Sequence, residues 1–181
     1  MDDDIIKKVK ILRKSSLFTY NTDLGHILEQ QSILLTLAGI KPASRITGGK
    51  WVNTTTGRKS VPLDHDQVRD FFSKLGLQYS IKDFEYGTMA FISLDKNLIV
   101  KSDNNTSDKI EGELFGYPKT AFEAFGDDDL MMSLKEQDVI INSEGLPEFM
   151  PNFRFSKLHF KEELEVLKSW YDILKKYDFV E

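Results

Sequence analysis

The chain has 181 residues, 40% hydrophobic and 29% charged, with a formal net charge of −5. That length and apolar content suffice for a core of its own, so we expect a single α+β domain spanning 1–181. With no cysteine, the chain has no disulfides, thiolate metal sites or thiol nucleophiles, and its acidity disfavours broad contact with a phosphate backbone.

From the amino terminus, Asp2, Asp3 and Asp4 precede an apolar stripe of Ile5, Ile6, Val9 and Leu12. Acids at a helix start complement its dipole, so this triplet reads as structural. No apolar leader core opens the chain, and no run approaches the roughly 20 apolar residues of a spanning helix. We therefore expect a cytoplasmic protein with no membrane association. A second helix follows from Leu24, Ile27, Leu28, Leu34, Leu35 and Ala38, with Asn21 or Thr22 as its cap and Gly39 then Pro42 as its stop. Thr47 to Ser60, rich in strand formers between glycines, reads as a hairpin or a loop. Asp64 with Gln67 suggests a capping box, opening a helix whose Val68, Phe71, Phe72 and Leu75 face inward before Gly76.

Three strands are expected next: one alternating at Leu77, Tyr79 and Ile81, one over Met89–Leu94, and one over Leu98–Val100, forming an antiparallel meander. The polar stretch 102–108 reads as a boundary between sublayers. Helices are expected around 108–115, 118–125 and 128–136, then a proline-punctuated segment over 145–155 and a long terminal helix packed on the sheet. That last helix carries two adjacent stripes, Phe160, Leu164, Leu167, Tyr171, Leu174 and Val166, Trp170, Ile173, Tyr177. So wide an apolar face must pack on the body or on a second copy, which makes a homodimer through this helix one expectation.

Pro118, after Gly116 and Tyr117, suits the first position of a helix, since it lacks an amide that would be unpaired there. The free amides beyond it, the Lys119 ammonium and the Tyr117 hydroxyl together form a candidate anion site. Among the three histidines, His65 reads as a solvated or capping residue and His26 has no evident partner. His159 precedes Glu162 and Glu163 at helical spacing, which gives an ion pair and too few ligands for a metal. Asp127, Asp128 and Asp129 read as a capped helix start and lack the spacing of a calcium loop. Lys50, Trp51, Arg58 and Lys59 form the chain's basic aromatic loop, a candidate for nucleotide or nucleic-acid contact that lacks the pattern of a phosphate-binding loop.

The stretch Glu113–Phe125 resembles an uncharacterised, largely archaeal family in which a Leu-Gly-Tyr-Pro turn is followed by paired cysteines. The likeness extends over roughly the last third of the chain, where Phe149–His159 resembles that family's later segment of spaced cysteines. Thr120 and Ala121 stand at the paired positions here, and Phe155 and His159 at the later ones. The resemblance thus implies a retained scaffold whose thiol-based metal or redox chemistry has no thiol in this chain.

The expectation is a non-catalytic binding or interaction protein without cofactor or metal, recognising a small anionic ligand or a protein partner through Tyr117, Lys119, Asn152, Arg154 and His159. A rival is an enzyme on a small phosphate- or carboxylate-bearing substrate, with Arg154 and Lys119 on the anion and His159 as acid–base. A second alternative is nucleotide or nucleic-acid binding through 47–60.

Overall fold

The computed structural model describes residues 2–15, 17, 23–55, 57–85, 87–103, 108–147, 150–151 and 153–180. The fold is α+β. In chain order its elements are α1 (Asp2–Lys14), α2 (Asp23–Leu37), β1 (Ala43–Gly48), β2 (Lys50–Thr54), β3 (Gly57–Val61), α3 (His65–Leu75), β4 (Gln78–Phe84) and β5 (Gly87–Ser93). Then follow α4 (Lys96–Asp103), α5 (Asp108–Leu114), α6 (Lys119–Ala124), α7 (Leu134–Ser143) and α8 (Phe160–Lys176). An antiparallel sheet runs β1-β5-β4, and β2 and β3 form a separate hairpin.

The central strand shows why the domain is layered. Side chains alternate across a strand, and on β5 Ala90 and Ile92 enter the main core while Phe91 enters a second cluster with Ile99, Leu114 and Phe115. The main core gathers α1, α2, α3 and α8 on one face, with Trp170, Phe72 and Phe155 its largest fully buried side chains. The opposite face carries α4 and α5. Register sets Arg45 of β1 opposite Phe91, which places a guanidinium on the α5 side of the sheet.

Local signals account for several boundaries. The Asp64 carboxylate accepts the amides of Asp66 at 2.9 Å and Gln67 at 3.3 Å, and Gly76 ends α3 at φ 71°. A residue with a Cβ resists that left-handed conformation. The apolar face of α8 is covered by the chain itself: Leu164, Leu167, Trp170 and Leu174 are all buried. Phe160, Val166, Tyr171 and Ile173 of the two stripes are partly buried against the same core.

Two expected elements differ. Leu98–Val100 lies in α4, and the third strand of the sheet is β1. The Asp95 carboxylate accepts the Asn97 amide at 2.9 Å and its carbonyl accepts that of Leu98 at 3.2 Å, so the chain turns into a helix that buries Ile99. The expected helix at 128–136 is a turn: the Asp127 carbonyl accepts the amides of Leu130 and Met131 at 3.1 and 2.9 Å, and Met131 then bridges to Ser156. Helix α7 starts later, at a capping box in which Ser133 and Glu136 satisfy each other's amides. The expected sublayer boundary falls between α4 and α5, with residues 104–107 outside the described residues; Ile99 of α4 and Leu114 of α5 share the second cluster. The caps Asn21 and Thr22 also lie outside the described residues.

Candidate functional site

The turn joining α5 to α6 depends on two glycines. Gly116 has φ 71°, and a Cβ there would sit 2.9 Å from Pro42 Cδ; at Gly112 a Cβ would sit 2.6 Å from Phe122 Cβ. The two helices thus approach at a distance only glycine permits. Tyr117 closes the turn by donating its amide to the Gly112 carbonyl at 2.9 Å. Pro118, at φ −54° and ψ 140°, caps α6 from outside the helix, one position earlier than expected, and its carbonyl accepts the amides of Ala121 and Phe122 at 3.0 and 3.2 Å.

A second segment is held to α7 by a buried side chain. Gln137 of α7 donates from Nε2 to the Phe153 carbonyl at 2.9 Å and accepts the Phe155 amide at Oε1 at 2.9 Å. It pairs with the segment as a neighbouring strand would, and fixes the backbone on both sides of Arg154. The Tyr117 ring then lies 5.4 Å from Phe153, 6.0 Å from Phe115 and 6.2 Å from Trp170, centroid to centroid. The Tyr117 turn and the segment after Pro151 are therefore neighbours.

Between them is a cavity of about 300 Å³. Phe115, Tyr117, Phe122, Phe125 and Phe153 supply its aromatic walls, Gly112 and Ala121 its close-packed side, and Arg45, Glu111 and Arg154 its charges. Arg45 Nη1 is 2.9 Å from Glu111 Oε2. Arg154 donates from Nη2 to the Met132 carbonyl at 2.7 Å, while its Nε is shielded from solvent and has no acceptor among the described residues. Burial raises the Tyr117 hydroxyl above the ordinary tyrosine range; Arg45 pulls it down and Glu111 pushes it up. At neutral pH that hydroxyl is a donor.

Behind the rings is a buried ammonium. Lys41 is 5% exposed, with Nζ 5.1 Å from the Trp170 ring centre, 5.7 Å from Tyr117 and 5.8 Å from Phe115. Burial lowers it to about 8, partly opposed by the Glu29 charge. Burial likewise raises Glu29 to about 7, against the pull of the Thr47 hydroxyl and amide, which it accepts at 2.9 and 3.1 Å. Neither residue stands out in the sequence, because nothing local predicts that a lysine beside Pro42 will be enclosed by aromatic rings.

The remaining candidates are distributed elsewhere. Lys119 is 77% exposed and lies 3.5 Å from Glu123, away from the cavity. His159 lines a separate hollow of about 190 Å³ with Thr120, Glu123, Ala124, Leu130, Ser156 and Leu158. Helix α6 divides the two spaces, showing Ala121 and Phe122 to one and Thr120 and Ala124 to the other. His159 Nδ1 is 3.3 Å from Glu162, and Glu163 turns inward, 0% exposed, accepting from Thr120 Oγ1 at 2.6 Å and from the Ser156 amide and hydroxyl at 2.7 Å each. Lys119, Arg154 and His159 therefore do not meet in one cleft.

Asn152 lies outside the described residues. Lys50, Trp51, Arg58 and Lys59 are on the β2–β3 hairpin, where Trp51 pairs with Ser60 and Asn53 with Arg58; their side chains lie outside the described ones. His65, expected as solvated or capping, is 2.9 Å from Asp83. Among the described residues no three His, Asp or Glu side chains gather as a metal site, and no helix is long and apolar enough to cross a membrane. No protein-family model matches the chain, and no curated protein or solved structure matches it either.

Proposed function

We propose that this chain is a non-catalytic binding protein whose cavity between α5, α6 and residues 153–154 takes a small anionic ligand. The observation that carries the reading is the Arg154 guanidinium in the lining of an aromatic-walled cavity, with a backbone carbonyl and no carboxylate as its partner among the described residues. A guanidinium without a carboxylate leaves a surplus positive charge in that lining, which an anionic ligand would pair through charge-assisted hydrogen bonds. A pocket that is mostly apolar with a few convergent polar groups is the usual form of a small-molecule site, and about 300 Å³ is at the small end of such sites. Against the enzymatic alternative, His159 opens into the other hollow and its ring pairs with Glu162. Thermal unfolding of the chain against a panel of small carboxylates and phosphates tests the reading. Saturable stabilisation by at least one anion, absent in Arg154→Gln, is expected; no stabilisation by any of them would overturn it.

A further inference from the structure

The charges and walls of this cavity restrict its ligand further, an inference that rests on the binding reading above. Three charged side chains with unequal claims line it. Arg45 is neutralised by Glu111 at 2.9 Å, whereas Arg154 has a backbone carbonyl and no carboxylate among the described residues. One positive charge is left over. A phosphate dianion would call for a second free cation, and neither Lys119, which faces Glu123, nor Lys41, enclosed behind the rings, is among the lining residues. A singly charged group matches the surplus, because a buried charge is tolerated when it is paired and hydrogen-bonded.

The second polar group is the Tyr117 hydroxyl, which makes no hydrogen bond among the described residues. Arg154 and Tyr117 both line the cavity, one an ionic and one a neutral donor, and a carboxylate has two oxygens to receive such donors. The rest of the lining is ring. Phe122, Phe125 and Phe153 face the cavity, and Phe125 is 52% exposed despite its apolar side chain. Aromatic rings pair well edge-to-face or offset at about 4.5–7 Å, the spacing already seen between Tyr117 and Phe153 at 5.4 Å. A volume of about 300 Å³ suits one ring with a short acidic arm and is small for a nucleotide.

We infer that the cavity takes a small aromatic monocarboxylate, with its carboxylate on Arg154 and the Tyr117 hydroxyl and its ring among Phe122, Phe125 and Phe153. Calorimetric titration of the full chain with phenylacetate, its neutral counterpart 2-phenylethanol, acetate and inorganic phosphate tests this. Phenylacetate is expected to bind at least about tenfold more tightly than each of the others, and Arg154→Gln to remove that margin over 2-phenylethanol. Acetate or phosphate binding as well as phenylacetate would overturn the aromatic class and leave the anion reading standing. 2-Phenylethanol binding as well as phenylacetate would overturn both, since charge would then be irrelevant. No binding by any probe would overturn the class, and the wider anion panel would then decide the binding reading alone. If Arg154→Gln does not fold, the ratio of phenylacetate to 2-phenylethanol in the parent protein still decides.

Discussion

Replacing Lys41 by Met removes a buried ammonium while keeping an unbranched chain of similar length among Phe115, Tyr117 and Trp170. Lys41 titrates at about 8 in the folded chain against 10.5 when exposed, so the folded state releases this proton first as pH rises. Between those values the unfolded chain binds more protons, and stability rises with pH. Below pH 8 both states are charged and the burial penalty, about 3 kcal/mol, is present in full. Raising the pH from 7 to 10 should therefore stabilise the parent by about 2–3 kcal/mol through this group, and Lys41→Met should lack that gain. The assay is urea unfolding followed by circular dichroism at pH 7, 8, 9 and 10 on both proteins. Taking the difference between them cancels titrations that Lys41 does not influence, and holding residue 29 as Gln in both proteins removes the one whose charge acts on Lys41. The stability of Lys41→Met relative to the parent is predicted to fall by about 2–3 kcal/mol across the series; a flat difference would refute the claim that burial sets the state of this amine.

The same linkage has the opposite sign at Glu29, raised from 4.5 to about 7. Stability from this group is present below pH 4.5 and lost as pH rises towards 7, by about 3 kcal/mol, so Glu29→Gln should remove that decline; an unchanged pH profile would count against it. Glu163→Ala leaves the Thr120 hydroxyl and the Ser156 amide and hydroxyl buried without their acceptor, and should cost about 2–4 kcal/mol in denaturant unfolding. A loss no larger than that of an exposed-site control would show that the buried carboxylate does not join α6 to α8. Gly112→Ala places a Cβ 2.6 Å from Phe122 Cβ, and the overpacking, about 1–3 kcal/mol, should exceed the up to about 1 kcal/mol gained from alanine's helix propensity. A more stable variant would mean that α5 and α6 separate freely there.

What the sequence reveals here is what depends on neighbours along the chain. Helix α3 is legible because Asp64 caps it, Gly76 ends it and four apolar residues at helical spacing define its buried face. The stripes of α8 are legible for the same reason. Leu98–Val100 misleads because three apolar residues fit a strand and a short helix equally well, and the Asp95 turn decides between them. The acidic triplet at Asp127 resembles a cap, and the capping box that starts a helix is six residues on, at Ser133. At the candidate site, Tyr117 and Arg154 are recognisable from their turns, and they line one cavity. Arg45, Glu111, Phe122 and Phe125 are not, since strand register and the close approach at Gly112 gather them from distant parts of the chain. Gln137, which fixes the backbone around Arg154, looks like any polar helix residue until its burial is known.

The central claim is that the Arg154 guanidinium receives a small anion. Nuclear magnetic resonance of the arginine Nε–H groups tests it most directly, with the Arg154 signal assigned by its absence from Arg154→Gln, during titration with phenylacetate, acetate and phosphate in turn. A saturable shift of the Arg154 resonance is expected, largest with phenylacetate. An Arg154 signal that stays in place with every anion, in a protein that remains folded, would contradict it.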